Sequence, residues 1–431
     1  MATAPGTFFE SLVFDSPRPY KSRANRPQAC VAELLRLLND PQHEMTSLHI
    51  AGSKGKGSVA LYTEKILIAH GFSAGTFTSP HLSNWTERFR INGSDCEEAL
   101  LAAAVAAIRP KVKKLQQRYP RNPPTFFDVL TACAFYLFRE AGVKYAIIEA
   151  GIGARLDATR VAPAKVACLT TIELEHTEKL GHSIEDITFE KAGVIRAGHP
   201  VVCGNLPKAA QNIIQQTAEE NNSPLYRLNR DFWVARDCTK SIVFRNSHFD
   251  LPLKSDIRED HIANNVGVAI QSSLLLLGDS VRKSIFPLAL SSISLPGRQE
   301  FISHTPPILV DSAHTRAAVL ALLALLERLS FHELHLLVAL TQHKSPTVLS
   351  PILQKATSVT VTSVVPERSF PADKLAAHIS RANPTVQLTV IHSPDLALDH
   401  VCGEIQSSNL LLIAGSVYLA GFARSRLLSR P

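Results

Sequence analysis

The stretch Gly52-Ser53-Lys54-Gly55-Lys56-Gly57-Ser58 carries the most readable chemistry in this chain. An apolar run, Leu48-His49-Ile50-Ala51, stops at this turn of small residues, and a helix-compatible segment, Val59 to Ala69, follows at once. A strand, a Gly-rich turn and a helix N-terminus in that order form a phosphate cradle. Small residues let backbone N–H groups close on an anion, and the helix dipole adds to the attraction. Lys56 is placed to reach terminal phosphates, and the Ser58 hydroxyl to approach a metal that they carry. The spacing is not the usual Walker one, because Gly57 stands between Lys56 and Ser58. Three more polar residues close apolar runs in the same way. Ser79 follows Ser73–Thr78, Glu149 ends Tyr145-Ala146-Ile147-Ile148, and His176 comes shortly after Val166–Ile172. Ligands of a parallel sheet gather at the carboxyl ends of its strands, so these residues are expected along one edge.

The elements that must position them alternate. Helical pattern is expected over Cys30–Leu38, Cys96–Arg118, Phe126–Ala141 and His261–Leu277, between the strand-like runs, which implies a parallel sheet with helices on its faces. Residues 1–27 read as an irregular lead-in rich in Pro, Ser and Arg. Between 225 and 255 the texture changes to short runs such as Phe232-Trp233-Val234 and Ser241-Ile242-Val243-Phe244, which suggest antiparallel hairpins. Leu295-Pro296-Gly297-Arg298 looks like a linker. Beyond it strands are expected at 307–311, 334–339, 358–362, 386–391 and 409–414, with Ala317–Leu329 the clearest helix between them. Two domains follow, 1–295 and 296–431, and the second is long enough for its own core. No internal repeat or low-complexity tract is visible.

Composition narrows the class. The chain has 431 residues, 45% of them hydrophobic and 19% charged, as in a globular protein with a sizeable core. The net charge of +7 comes from scattered residues, without the basic stripe and interleaved aromatics that a nucleic-acid partner asks for. The seven cysteines are widely spaced with no Cys-x-x-Cys pair, which argues for a reducing compartment and against both a disulfide framework and a zinc site. The longest apolar stretch, Leu410–Ala423, is too short for a membrane span. The expectation is a cytoplasmic protein with no membrane and no nucleic-acid partner.

Several stretches, in order, resemble the folylpolyglutamate synthase and dihydrofolate synthase branch of the Mur-type amide ligases. They are the phosphate loop with its extra Gly57, Thr78-Ser79-Pro80-His81-Leu82, Glu87-Arg88-Phe89-Arg90-Ile91-Asn92-Gly93 and Thr125-Phe126-Phe127-Asp128. Glu149-Ala150-Gly151-Ile152-Gly153-Ala154-Arg155-Leu156-Asp157-Ala158-Thr159, Glu190-Lys191-Ala192-Gly193, Pro296-Gly297-Arg298 and Gly415-Ser416-Val417-Tyr418-Leu419 complete the set. The chain departs from the pattern at Lys54 and Arg160, where the branch has Asn, and at Asp128, where Glu is usual. It also has Glu173-Leu174-Glu175-His176 in place of Gly-Leu-Asp-His, and Asp311-Ser312-Ala313-His314-Thr315 in place of Asp-Gly-Ala-His-Asn.

The resemblance implies a P-loop-type parallel-sheet α/β domain followed by a smaller Rossmann-like α/β domain that serves glutamate ligation. The active site is expected in the cleft between the two. It implies ATP, a folate or dihydropteroate, and L-glutamate as substrates, an acyl-phosphate intermediate, Mg²⁺ as the metal, and a monomer. By position, Gly52, Ser53, Gly55, Lys56, Gly57, Ser58, Asn265, Arg298 and Asp311 match ATP contacts, and Ser79, Glu149 and His176 match the metal site. Thr125, Phe126, Phe127, Asp128, Leu156, Asp157 and Ala158 match folate contacts, while His314 and Ser416 match the glutamate site. Lys56, Lys191 and His314 are the expected catalytic residues, with Lys191 carbamylated. Glu173 either adds a carboxylate near the metal or turns to solvent. The rival readings are a cell-wall-type Mur ligase and a folate- or nucleotide-binding homologue without turnover.

Overall fold

The computed structural model describes residues 5–14, 28–236, 241–253, 259–291, 295–342 and 344–429. Over these, Met1–Pro80 with Trp85–Ile293 form one compact unit, and His81–Asn84 with Ser294–Pro431 form another.

The first unit is built on eight strands: β1 (Thr46–Ala51), β2 (Ala74–Phe77), β3 (Phe89–Ile91), β4 (Ser94–Asp95), β5 (Tyr145–Glu149), β6 (Ala164–Leu169), β7 (Val201–Cys203) and β8 (Leu225–Arg227). Their order is β4-β3-β2-β5-β1-β6-β7-β8. From β2 to β8 the pairing is parallel, and β3 and β4 add an antiparallel edge. All five residues of β5 are buried, as are the last five of β1, which is why both read as continuous apolar runs rather than alternating ones. The chain leaves β1 toward β2 on one side, and β6 lies on the other. The turn after β1 therefore opens at a topological switch point, where α/β sheets take their ligands.

Helices Ala29–Arg36, Glu98–Arg118 and Phe126–Glu140 pack on one face of this sheet, and Ile184–Ala192 and Lys208–Glu220 contribute to a second apolar cluster. The expected lead-in is corrected in part: Pro5–Phe14 is a helix. It is held by tertiary packing rather than by propensity, since Phe8, Phe9 and Leu12 are buried and the Phe9 ring meets Trp85 at 5.1 Å. The rest of the lead-in lies outside the described residues. The hairpin texture forms a separate antiparallel sheet of β9 (Phe232–Arg236), β10 (Ile242–Asn246) and β11 (Asp250–Leu253). Helix Asp260–Leu277 packs against this sheet and against helix Lys56–Ala69.

The second unit has β12 (Glu300–His304), β13 (Pro307–Val310), β14 (Leu334–Val338), β15 (Ser358–Val361), β16 (Gln387–Val390) and β17 (Leu410–Ala414), in the order β12-β13-β17-β14-β15-β16. All pairs are parallel except β12–β13. Apolar clusters cover both faces, one including Val319, Leu322 and Leu375, the other Ala397, Leu398 and Leu419.

Candidate active site

The phosphate loop is fixed by what it touches. Gly55, at φ +81°, caps helix Lys56–Ala69, and a side chain there would meet the Asn265 amide at 2.6 Å. Gly52, at φ +148°, lies so close to Thr170 that a Cβ would fall 1.9 Å from its hydroxyl. The strand end after β6 grips the turn further. Ser53 N–H donates to the Thr171 carbonyl at 2.8 Å, Lys54 N–H to the Thr171 hydroxyl at 2.9 Å, and Glu173 N–H to the Ser53 hydroxyl at 3.0 Å. The first-turn N–H groups at Lys56, Gly57 and Ser58 have no helical partner, the arrangement that receives an anion. The structure thus brings Gly52, Ser53, Gly55, Lys56, Gly57, Ser58 and Asn265 together.

Two lysines converge on one carbonyl. Lys56 Nζ donates to Gly52 O at 3.0 Å and lies 3.8 Å from Glu149 Oε1; Lys191 Nζ donates to the same carbonyl at 2.7 Å and to Glu175 Oε1 at 2.8 Å. The Lys191 side chain is only 2% exposed. Burial, and then the neighbouring charge of Lys56, push its amine down to about 8. Burial opposes ionisation of Glu175, yet the Lys191 ammonium holds that carboxyl below its usual range. Helix Ile184–Ala192 carries Lys191 inward because Glu190 is clamped by Arg155, whose guanidinium donates to Glu190 Oε1 at 2.6 Å.

The three expected metal-site residues are treated unequally. Ser79 N–H donates to Glu149 Oε2 at 3.1 Å, so that hydroxyl-bearing residue and that carboxylate stand together at neighbouring strand ends. His176 sits at φ +47° with its side chain 45% exposed, and its ion-pair neighbour among the described residues is Glu178 at 3.9 Å. Burial lowers its imidazole below the ordinary value despite Glu175 and Glu178. Among the described residues no group of three or more His, Cys, Asp and Glu side chains is gathered for a metal. Glu173 is held through its backbone, and its exposed side chain has no ion-pair partner among the described residues.

Among the residues expected to contact folate, the Phe127 ring and Asp157 Oδ2 meet at Gly151, where a Cβ would lie 2.7 Å from the ring and 3.2 Å from the carboxylate. Leu156 and Ala158 flank Asp157 in the buried turn. Thr125 and Asp128 have a further role: they form the capping box of helix Phe126–Glu140, with Thr125 N–H and hydroxyl both donating to Asp128 Oδ2 at 2.7 Å. Phe126 packs edge-on to Trp85 at 5.7 Å, under the buried Arg88 guanidinium. Arg88 was not singled out in the sequence as a separate site residue. Burial pushes it down to about 10 against the charge of Glu149, so it belongs to this surround.

In the second unit, the expected residues follow the adjacent strands β13 and β17. Asp311 accepts from Gln299 N–H at 2.8 Å and Ala313 N–H at 2.6 Å. Burial raises its carboxyl above the usual range, opposed by those N–H groups and by Arg298. His314 Nδ1 lies 2.8 Å from Ser312 O, so Nδ1 carries the proton and donates to that carbonyl. The Ser416 hydroxyl accepts from Tyr418 N–H at 3.1 Å at the start of helix Val417–Leu428. Thr315, where the family pattern has Asn, caps helix Arg316–Leu326. Sequence reasoning missed Glu175 as the partner of Lys191, and missed His49 and Thr159. A histidine inside the apolar run before a phosphate loop is the one signal that pointed to the last pair.

The domain described as "Mur ligase, glutamate ligase domain" matches residues 297–417. The folylpolyglutamate synthase of Lacticaseibacillus casei is 30% identical over 417 residues, covering 92% of this chain and 94% of that protein. The dihydrofolate synthase/folylpolyglutamate synthase of Mycobacterium tuberculosis is 30% identical over 435 residues, covering 92% and 88%. A solved structure of Mycobacterium tuberculosis folylpolyglutamate synthase complexed with ADP superposes with a TM-score of 0.84 at 26% identity, covering 99% of each chain.

Proposed function

Since the chain belongs to the folylpolyglutamate synthase and dihydrofolate synthase family, we propose that it is an ATP-dependent ligase that joins L-glutamate to a folate or to dihydropteroate. Amide formation from a carboxylate is uphill in water, so the acid must first be activated. The γ-phosphoryl group passes from ATP to the carboxylate oxygen, giving an acyl phosphate and ADP. The glutamate amine then attacks the acyl carbon, loses a proton, and phosphate leaves. Such transfers depend on positioning and on neutralising charge.

Lys56 is assigned to the β/γ-phosphates, with the loop from Gly52 to Ser58 and Asn265 completing the nucleotide contacts of the first unit. Arg298 and Asp311 are assigned to the nucleotide as well, and His314 and Ser416 to glutamate. Asp157 offers a carboxylate to the N–H groups of a pterin beside the Phe127 ring. The neighbouring Ser79 and Glu149 oxygens are hard donors that suit Mg²⁺, with His176 as the third assigned ligand; a bound Mg²⁺ would offset phosphate charge. The neutral form of Lys191 suits carbamylation, in which the amine nitrogen bonds to the carbon of CO₂ and releases a proton. All six cysteines among the described residues are free thiols, which favours a cytoplasmic setting.

The observation that carries this reading is the pair of lysine side chains meeting at Gly52 O beside Glu149. ADP release measured with dihydropteroate and with a tetrahydrofolate, each with and without glutamate, tests it. Repeated turnover, beyond one ADP per enzyme, is expected only when an acid and glutamate are both present. Turnover that ignores glutamate would make the protein a nucleotidase instead.

A further inference from the structure

The sequence places His49 in the middle of the strand that leads to the phosphate loop, a position usually given to an aliphatic residue in a parallel sheet. The side chain is fully buried, as is that of Thr159, and the Asp157 side chain is nearly so. His49 Nε2 lies 2.8 Å from Thr159 Oγ1, and Thr159 Oγ1 lies 2.5 Å from Asp157 Oδ1. The same carboxylate accepts from Thr159 N–H at 3.0 Å and, through Oδ2, from Ile152 N–H at 3.1 Å.

The donor count fixes the direction of this chain. The carboxylate of Asp157 only accepts, so the single hydroxyl hydrogen of Thr159 goes to it. Thr159 then has only lone pairs to offer His49, and Nε2 must be the protonated nitrogen. Nδ1 agrees, because it is buried with no hydrogen-bond partner among the described residues. A lone pair left there costs less than an orphaned N–H. The imidazole is neutral: burial, then the nearby charges of Arg196 and Arg160, hold it far below the usual histidine value. Without the His49 donor the Thr159 hydroxyl would be free to rotate away from Asp157 and bond back to the turn.

We propose that His49 is a positioning residue, which through Thr159 fixes the rotamer of the Asp157 carboxylate that receives the pterin ring. This rests on the assignment of Asp157 to the pterin. The relay is serial: a donor on the sheet orients a hydroxyl on the loop, and the hydroxyl orients the group that touches substrate. It ties the pterin side of the site to the strand that carries the phosphate loop, and it explains why a polar side chain is kept inside that strand.

The test separates the relay from the assignment. Thr159→Val keeps the shape and removes the hydroxyl; it is expected to raise KM for the pterin acid about tenfold, the size of a lost hydrogen bond to a charged group, while KM for ATP stays put. Thr159→Ser should restore it. His49→Leu should act in the same direction, His49→Gln should recover through its amide N–H, and the double variant His49→Leu/Thr159→Val should be no worse than Thr159→Val alone. If Asp157→Ala leaves the pterin KM unchanged, the assignment of Asp157 fails. If Asp157→Ala raises it while Thr159→Val and His49→Leu do not, the relay fails and the assignment stands. Should the variants not fold, ¹⁵N-histidine spectra of the wild type decide: a His49 carrying its proton on Nε2 across the neutral pH range supports the relay, and one protonated on Nδ1 overturns it.

Discussion

Lys56→Ala is expected to lose about three to five decades of glutamate-dependent ADP release, the scale seen when a cation that neutralises phosphoryl-transfer charge is removed. The Lys56 amine is held at the mouth of the helix by Gly52 O and lies near Glu149, so it is preorganised where terminal phosphates meet the first turn. Lys54→Ala should be far milder. The backbone of Lys54 is bound on both sides, its N–H to the Thr171 hydroxyl and its carbonyl to the Thr170 hydroxyl, while its side chain is exposed. Steady-state assays of the two variants check this, with melting curves to confirm that both fold. Equal losses would refute the assignment of Lys56.

Lys191→Ala is expected to lose about two to three decades of turnover, the range for removing one preorganised electrostatic partner. It should also be less stable than Lys191→Met. Both variants take the ammonium from the Glu175 carboxylate, while the Gly52 carbonyl keeps Lys56 as its donor; truncation to Ala also removes the buried stem, whereas Met keeps the packing. If the working form is the carbamate, a short carboxylic acid at high concentration should restore part of the lost rate in Lys191→Ala but not in Lys191→Met, where the space is filled. Because the amine titrates at about 8 rather than near the ordinary lysine value, its neutral, CO₂-reactive form is reached close to neutral pH. NMR of protein in ¹³C-bicarbonate should show a carbamate signal that Lys191→Ala lacks. A signal unaffected by the substitution would contradict the assignment.

The parts legible in the sequence are those set by local pattern. Strands buried on both faces announce themselves as apolar runs, and β13, β14, β15, β16 and β17 fall within a residue or so of the stretches expected at 307–311, 334–339, 358–362, 386–391 and 409–414. By contrast β12 went unread because Glu300–His304 is a short edge strand of mixed polarity, paired antiparallel only to β13. Helix Pro5–Phe14 went unread because a Pro-Gly start gives little propensity, and its order comes from aromatic packing against distant residues. In the site, the phosphate loop is one continuous segment and so is visible in one dimension. The Lys191–Glu175 pair spans two elements, and the chain His49–Thr159–Asp157 joins residues far apart in sequence; only folding brings them together. Thr125 and Asp128 carry the spacing of a capping box in plain view, and the structure adds that role to the folate contacts expected from the resemblance.

The proposed reaction requires a carboxylate that is phosphorylated before the amide forms. The direct measurement uses the pterin acid that supports ADP release, labelled with ¹⁸O in the reacting carboxylate, with mass analysis of the inorganic phosphate after complete turnover. One ¹⁸O atom is expected in each phosphate released, because the acid oxygen that accepts the phosphoryl group departs with it. Phosphate carrying no label from a reaction that still produces the glutamyl amide would contradict the acyl-phosphate route.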